Sequence, residues 1–200
     1  MRAKICGIRD LFAAKVAEEA GADFIGFVFY KPSPRYIDPQ KAAVIRQQIR
    51  ESRCVGVFVD EELSVVNEIA EKVGLDYVQL HGHESAEYAQ QVICPVIKAY
   101  PYDERFSVDE ANAYPAEMIL LDTPHPQLPG GTGKSFDWRK AAQDIAHIHK
   151  SVLVAGGINR ENVKQVNKLL RPYAVDVSSG LEENGEKSLD KIRAFLRRIK

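Results

Sequence analysis

Cysteine is scarce in this chain and badly placed for bridging. Cys6, Cys54 and Cys94 are an odd number, far apart, with no C-x-x-C pair among them. That argues against a disulfide framework or a zinc site and suits a reducing cytoplasm. Long apolar runs are missing as well. No segment approaches the roughly 20 apolar residues a membrane helix needs, and the opening MRAKICGIRD does not read as a signal peptide, so no membrane partner is expected. Charge of one sign is absent too, with 27 Lys and Arg against 28 Asp and Glu. Without a global basic field, nucleic acid is not an expected partner, and an anionic small substrate must be met by a local feature. Linkers and low-complexity tracts are lacking, so residues 1–200 are expected to form a single domain.

What is present is a repeated alternation. Short apolar, β-branched runs occur at Ala3–Cys6, Phe24–Phe29, Cys54–Val59, Tyr77–Leu80, Val96–Ala99, Met118–Leu121, Val152–Val154 and Ala174–Val177. Amphipathic helical patterns separate them. Asp60 precedes a stripe of Leu63, Val66, Ile69, Ala70 and Val73; Asp38-Pro39 opens another segment; Asn159 is expected to cap a third. Leu189, Ile192, Leu196 and Ile199 give the last helix its apolar side, and the segment Glu104–Ala113 carries the weakest helical pattern. Eight βα units predict a parallel sheet covered by helices. No glycine-rich dinucleotide fingerprint follows the first strand, which favours closure. The expected fold is therefore an α/β, single-domain (β/α)8 barrel of the TIM type.

Active sites of such barrels lie at the C-terminal ends of the strands, and polar residues cluster there almost throughout. Strand one ends at Cys6, with Lys4 on the same face by alternation, where an ammonium would lower the thiol pKa. Asp122 ends the buried run Ile119–Leu121, and burial would raise its pKa and fit it to donate a proton. Arg35, between Pro34 and an aromatic, is a fork for a carboxylate. Gln79 and His81 end strand four and Asp176 lies in strand eight; all three are expected to line the substrate pocket. Gly156-Gly157, with Ser178-Ser179-Gly180 in the next such loop, fit a phosphate site, since glycines let the backbone N–H groups approach an anion. Gly131–Ser135 look like the end of a nucleotide-triphosphate loop, but Leu128 stands where that pattern needs glycine. Residues 123–135 read instead as a mobile loop over the barrel mouth.

Lys4-Ile5-Cys6-Gly7-Ile8, Gly26-Phe27-Val28-Phe29, Ser33-Pro34-Arg35-Tyr36, Val78-Gln79-Leu80-His81-Gly82, Leu121-Asp122, Gly130-Gly131-Thr132-Gly133 with Phe136-Asp137-Trp138, Ala155-Gly156-Gly157-Ile158 and Asp176–Gly180 occur in this order. Together they resemble the signature blocks of the phosphoribosylanthranilate isomerase family. The resemblance implies an Amadori rearrangement of a small phosphorylated substrate in tryptophan biosynthesis, by a cytoplasmic enzyme that is a monomer or homodimer and needs no metal or other cofactor. It places Cys6 as general base and Asp122 as general acid, Arg35 on the anthranilate carboxylate, and the loops at 156–157 and 178–180 on the phosphate. Arg9, Asp10 and Leu181 depart from the family pattern without touching this chemistry. A histidine-pathway isomerase would use paired aspartates, so Cys6 discriminates against it. A non-catalytic phosphate- or anthranilate-binding module would need neither proton-transfer group.

Overall fold

The computed structural model describes residues 1–124 and 137–200. Its strands are β1 (Arg2–Cys6), β2 (Phe24–Val28), β3 (Arg53–Phe58), β4 (Tyr77–Leu80), β5 (Val96–Pro101), β6 (Met118–Asp122), β7 (Ser151–Val154) and β8 (Ala174–Val177). They pair in parallel in chain order, and β8 returns to β1 with Lys4 opposite Asp176, so the sheet is closed. The helices between them are α1 (Leu11–Glu19), α2 (Pro39–Arg46), α3 (Leu63–Val73), α4 (Ala86–Ala89), α5 (Val108–Ala113), α6 (Trp138–Ile145), α7 (Val163–Leu170) and, after β8, α8 (Leu189–Ile199). The expected (β/α)8 barrel is the fold observed. Parallel strands buried on both faces explain the near-continuous apolar runs that mark them in sequence.

Alternation sorts each strand between two cores. Ile5, Leu80, Leu121 and Val177 face outward and pack with helix residues such as Ala13, Val66, Val166 and Phe195. Phe24, Tyr77, Met118, Leu120, Leu153 and Ala174 fill the barrel interior. The same alternation carries Lys4, Cys6, Gln79, Asp122 and Asp176 inward on the turn above that plug, at the C-terminal mouth.

Helix starts follow local chemistry, with three departures. Asp38 caps α2 as expected, its carboxylate accepting from the N–H of Gln40 at 2.9 Å. Asp60 does not cap α3. It sits in the left-handed region at φ 48° and turns its carboxylate to His83, while Glu62 precedes the helix without a side-chain cap. Asn159 likewise stands ahead of α7. Its carboxamide accepts from Glu161 and Asn162 N–H in a preparatory turn, and Asn162 is the residue flanking the helix. α5 begins at Val108 behind a Ser107 cap, later than the Glu104 start of the weak sequence pattern.

Between β8 and α8 lies a two-stranded hairpin, β9 (Glu182–Glu183) and β10 (Glu186–Lys187). Asn184 at φ 52° and Gly185 at φ 80° form its turn, the pairing that a two-residue hairpin demands.

Candidate active site

Cys6 and Asp122 stand on β1 and β6, three strands apart around the closed sheet, and so face one another across the mouth. Asp122 is nearly inaccessible. Burial drives its carboxyl up to about 7, against the opposing donation of the Thr123 N–H at 2.7 Å, with Asp176 adding to the rise and Lys4 opposing it. Its elevated pKa agrees with the sequence reading.

Cys6 corrects that reading. Burial pushes its thiol above the ordinary value; Lys4 acts downward, Asp176 upward and Lys187 downward. The net depression expected from Lys4 does not arise because burial of the thiol outweighs it, and Asp176, 3.0 Å from the Lys4 ammonium, offsets part of it. The pair sits with the Lys4 side chain at 0% exposure and that of Asp176 at 10%, and Lys4 is the stronger of the two at the sulfur.

Gln79 and His81 form the wall between these groups. The Gln79 amide meets His81 Nδ1 at 3.0 Å, and His81 Nε2 lies 3.5 Å from Asp122 Oδ2. Burial, with Lys4 and Lys98, lowers the His81 pKa to about 4, so the ring is neutral at physiological pH. Gln79 Oε1 is buried with no hydrogen-bond partner. A buried acceptor left open at a barrel mouth is a group available to a ligand donor.

Arg35 reaches the mouth over Gly7. A Cβ on Gly7 would stand 2.8 Å from Arg35 Cδ and 3.1 Å from Ser178 Oγ, and its φ of 77° independently demands glycine. One edge of the Arg35 fork is taken: Nε and Nη2 donate to Glu182 at 2.7 and 2.8 Å. Lys187 Nζ, from the end of the hairpin, donates to the same Glu182 oxygen at 2.6 Å and to the Ser178 carbonyl at 3.0 Å. Ser178 Oγ in turn donates to the Cys6 carbonyl at 3.1 Å. Sequence reading passed over Glu182 and Lys187. The Asn184-Gly185 turn is the signal that would have folded Lys187 back onto Ser178.

The two glycine loops meet beside Cys6. Gly156 and Gly157 both have positive φ, 81° and 62°. A Cβ on Gly156 would strike Thr123, and one on Gly180 would lie 2.3 Å from the Ile158 carbonyl. These glycines therefore serve close packing of the loops after β6, β7 and β8, as well as leaving backbone exposed. Asn162 braces the first loop, donating to the Gly157 carbonyl at 2.8 Å and accepting from Asn159 N–H at 2.9 Å. Ser179–Leu181 form a single 3-10 turn in which Leu181 N–H closes onto Ser178 O. Among the described residues, the N–H groups of Gly157, Ser179 and Gly180 make no hydrogen bond.

A cavity of about 880 Å³ opens on the other side of the mouth, lined by His81, Asp122, Thr123, Tyr100, Phe106 and Tyr114. Asp122 is thus reached from this side, whereas Cys6 and the glycine loops stand outside its lining. The expected loop at 123–135 lies, beyond Thr123 and Pro124, outside the described residues, as do Gly130–Gly133 and Phe136.

A closed (β/α)8 barrel with a buried acid, a facing thiol and clustered cations at its mouth defines an enzyme equipped for acid–base chemistry on a small anionic substrate. The chain belongs to the N-(5'-phosphoribosyl)anthranilate isomerase family: the model described as N-(5'phosphoribosyl)anthranilate (PRA) isomerase matches residues 3–198. The N-(5'-phosphoribosyl)anthranilate isomerase of Trichlorobacter lovleyi is 43% identical over 202 residues, spanning 100% of this chain and 98% of that protein. Phosphoribosyl anthranilate isomerase from Thermus thermophilus has a similar structure, with a TM-score of 0.91 at 40% identity over 100% of this chain and 98% of the other. A further phosphoribosyl anthranilate isomerase was solved with reduced 1-(o-carboxyphenylamino)-1-deoxyribulose 5-phosphate. It has a TM-score of 0.87 at 38% identity over 99% and 97% of the two chains.

Proposed function

We propose that this isomerase rearranges N-(5'-phosphoribosyl)anthranilate with Asp122 as general acid and Cys6 as general base, within one catalytic domain spanning residues 1–200. The observation that carries the assignment is the buried Asp122 carboxyl, raised to about 7, facing a thiol across the mouth. A carboxyl with that value still holds its proton in a useful fraction of molecules near neutrality. It passes the proton to the furanose ring oxygen, and the C1'–O bond opens to a protonated Schiff base. The Cys6 thiolate removes the C2' proton. The electron pair moves toward nitrogen and gives a neutral enolamine, which tautomerises to the 2-ketone. The thiol proton restores Asp122 over the cycle.

Arg35 offers the substrate carboxylate the edge of its fork that Glu182 leaves open, formed by Nη1 and the second Nη2 hydrogen. The uncommitted N–H groups of Gly157, Ser179 and Gly180 receive the phosphate. Asp176 contributes through Lys4, and Gln79 and His81 line the ring side. Three free cysteines, one of them in the site, support action in a reducing cytoplasm. No described helix is long and apolar enough to cross a membrane.

The test follows loss of phosphoribosylanthranilate fluorescence, with substrate made in situ. Wild type turns over without added metal, and Cys6→Ser and Asp122→Asn each lose at least about 100-fold in kcat. Turnover indifferent to Cys6 moves the base elsewhere. Wild type that binds a product analogue without turnover reduces the protein to a binding module.

A further inference from the structure

Arg35 alone would make a poor selector. Its long side chain is flexible, and fixing it on a ligand costs rotamer entropy that comes out of affinity. The structure has already fixed it. The Glu182 carboxylate holds Nε and Nη2 in a two-point grip at 2.7 and 2.8 Å, with side-chain exposures of only 19% for Arg35 and 15% for Glu182. That grip has its own cost, because an arginine paired with a carboxylate is neutralised towards any second anion. Lys187 removes the cost. Its ammonium, 3% exposed, lies 2.6 Å from the Glu182 oxygen that Arg35 Nε uses, so two cations share one anion and the cluster stays positive. Those two cations keep Glu182 ionised, its carboxyl falling to about 2 although burial alone would raise it. Gly7 and Ser178 close the back of the cluster, which leaves the Nη1–Nη2 edge as the part that can turn to a ligand.

We propose that Glu182, with Lys187 as its counter-charge, is the positioning residue that makes Arg35 selective for a planar carboxylate on the aromatic end of the substrate. The proposal rests on the placement of that carboxylate at Arg35 given above, and it adds residues that act through Arg35 without touching the substrate.

The experiment measures binding, so it reads the proposal whether or not the enzyme turns over. Anthranilate, its uncharged analogue 2-aminobenzamide, and inorganic phosphate are titrated into the full chain as wild type, Glu182→Gln and Lys187→Met. Wild type prefers anthranilate to the amide. Glu182→Gln presents an NH2 to one of the two Arg35 donors and frees the fork, so the preference falls about tenfold while phosphate affinity stays within about threefold. Lys187→Met, which leaves Arg35 neutralised, lowers the preference too, and it carries the test if Glu182→Gln does not fold. A preference unchanged in both variants overturns the proposal. So does a rise in Glu182→Gln, which would mean that net charge alone governs selection. Equal loss of anthranilate and phosphate would also overturn it, as the mark of a general structural role. A wild type that does not discriminate the two aromatics removes the Arg35 assignment and this proposal with it. A discriminating wild type without turnover of phosphoribosylanthranilate refutes the catalytic reading alone.

Discussion

Asp122 and Cys6 are both displaced upward, and this sets an unusual pH profile. The reaction needs the acid protonated and the thiol ionised, yet Asp122 titrates at about 7 and Cys6 above its ordinary value. Between the two values the singly protonated site mostly carries its proton on sulfur, and the working arrangement is the minority form of that state. Activity should therefore rise as pH passes through about 7, level off, and fall as the thiol region is crossed. His81, lowered to about 4, adds no limb in this range. A kcat/KM profile from pH 5 to 10 checks this. Asp122→Asn should lack the limb near 7, and its survival there would assign that limb to another group. Position at the C-terminal ends of strands made Cys6, Gln79, Asp122 and Asp176 legible as mouth residues, and alternation put Lys4 on the face of Cys6. The direction of the Cys6 shift was not legible, because it depends on how deeply the thiol is buried and on Asp176, a partner of Lys4 172 positions away.

At the scale of elements, two aspartates that read alike in sequence behave differently. Asp38 and Asp60 both stand before apolar helical stripes, and only Asp38 caps its helix. Pro39 makes the difference: it fixes the first helical residue next to the cap, whereas two glutamates intervene after Asp60 and leave its carboxylate free to reach His83. Asp38→Ala should lower unfolding free energy by about 1 kcal/mol in urea, with kcat unaltered. Asp60→Asn should hold stability within about 0.5 kcal/mol, since asparagine tolerates the left-handed region and keeps one acceptor for His83. A loss at Asp60 equal to that of Asp38→Ala would show that both carboxylate oxygens are needed on His83. The hairpin β9–β10 went unread for a similar reason. Its strands are two residues long, below what periodicity can detect, and only the Asn184-Gly185 turn announces it.

For the whole molecule, alternation and unit count sufficed for the barrel because each barrel strand must bury both faces and each covering helix one. The closure itself has a chemical signature at one point. Lys4 and Asp176 are register partners across the seam where the first strand meets the last, and they are also the ion pair beneath the mouth. Taking either charge alone leaves the other in the barrel interior without a counterion, where desolvation is not repaid. Asp176→Asn should thus cost about 3 to 5 kcal/mol, seen as a lower urea midpoint at unchanged slope. The double variant Lys4→Met with Asp176→Leu should recover most of that loss, because apolar groups of similar volume need no counterion. It should nevertheless stay inactive, since Cys6 loses the cation that acts on it most strongly, leaving Lys187 and Arg35 among the described residues. If Asp176→Asn instead costs under about 1 kcal/mol, Lys4 has found water or lost its proton, and the seam is held by backbone pairing alone. Recovery of stability without recovery of activity would separate what the pair does for the barrel from what it does for the base.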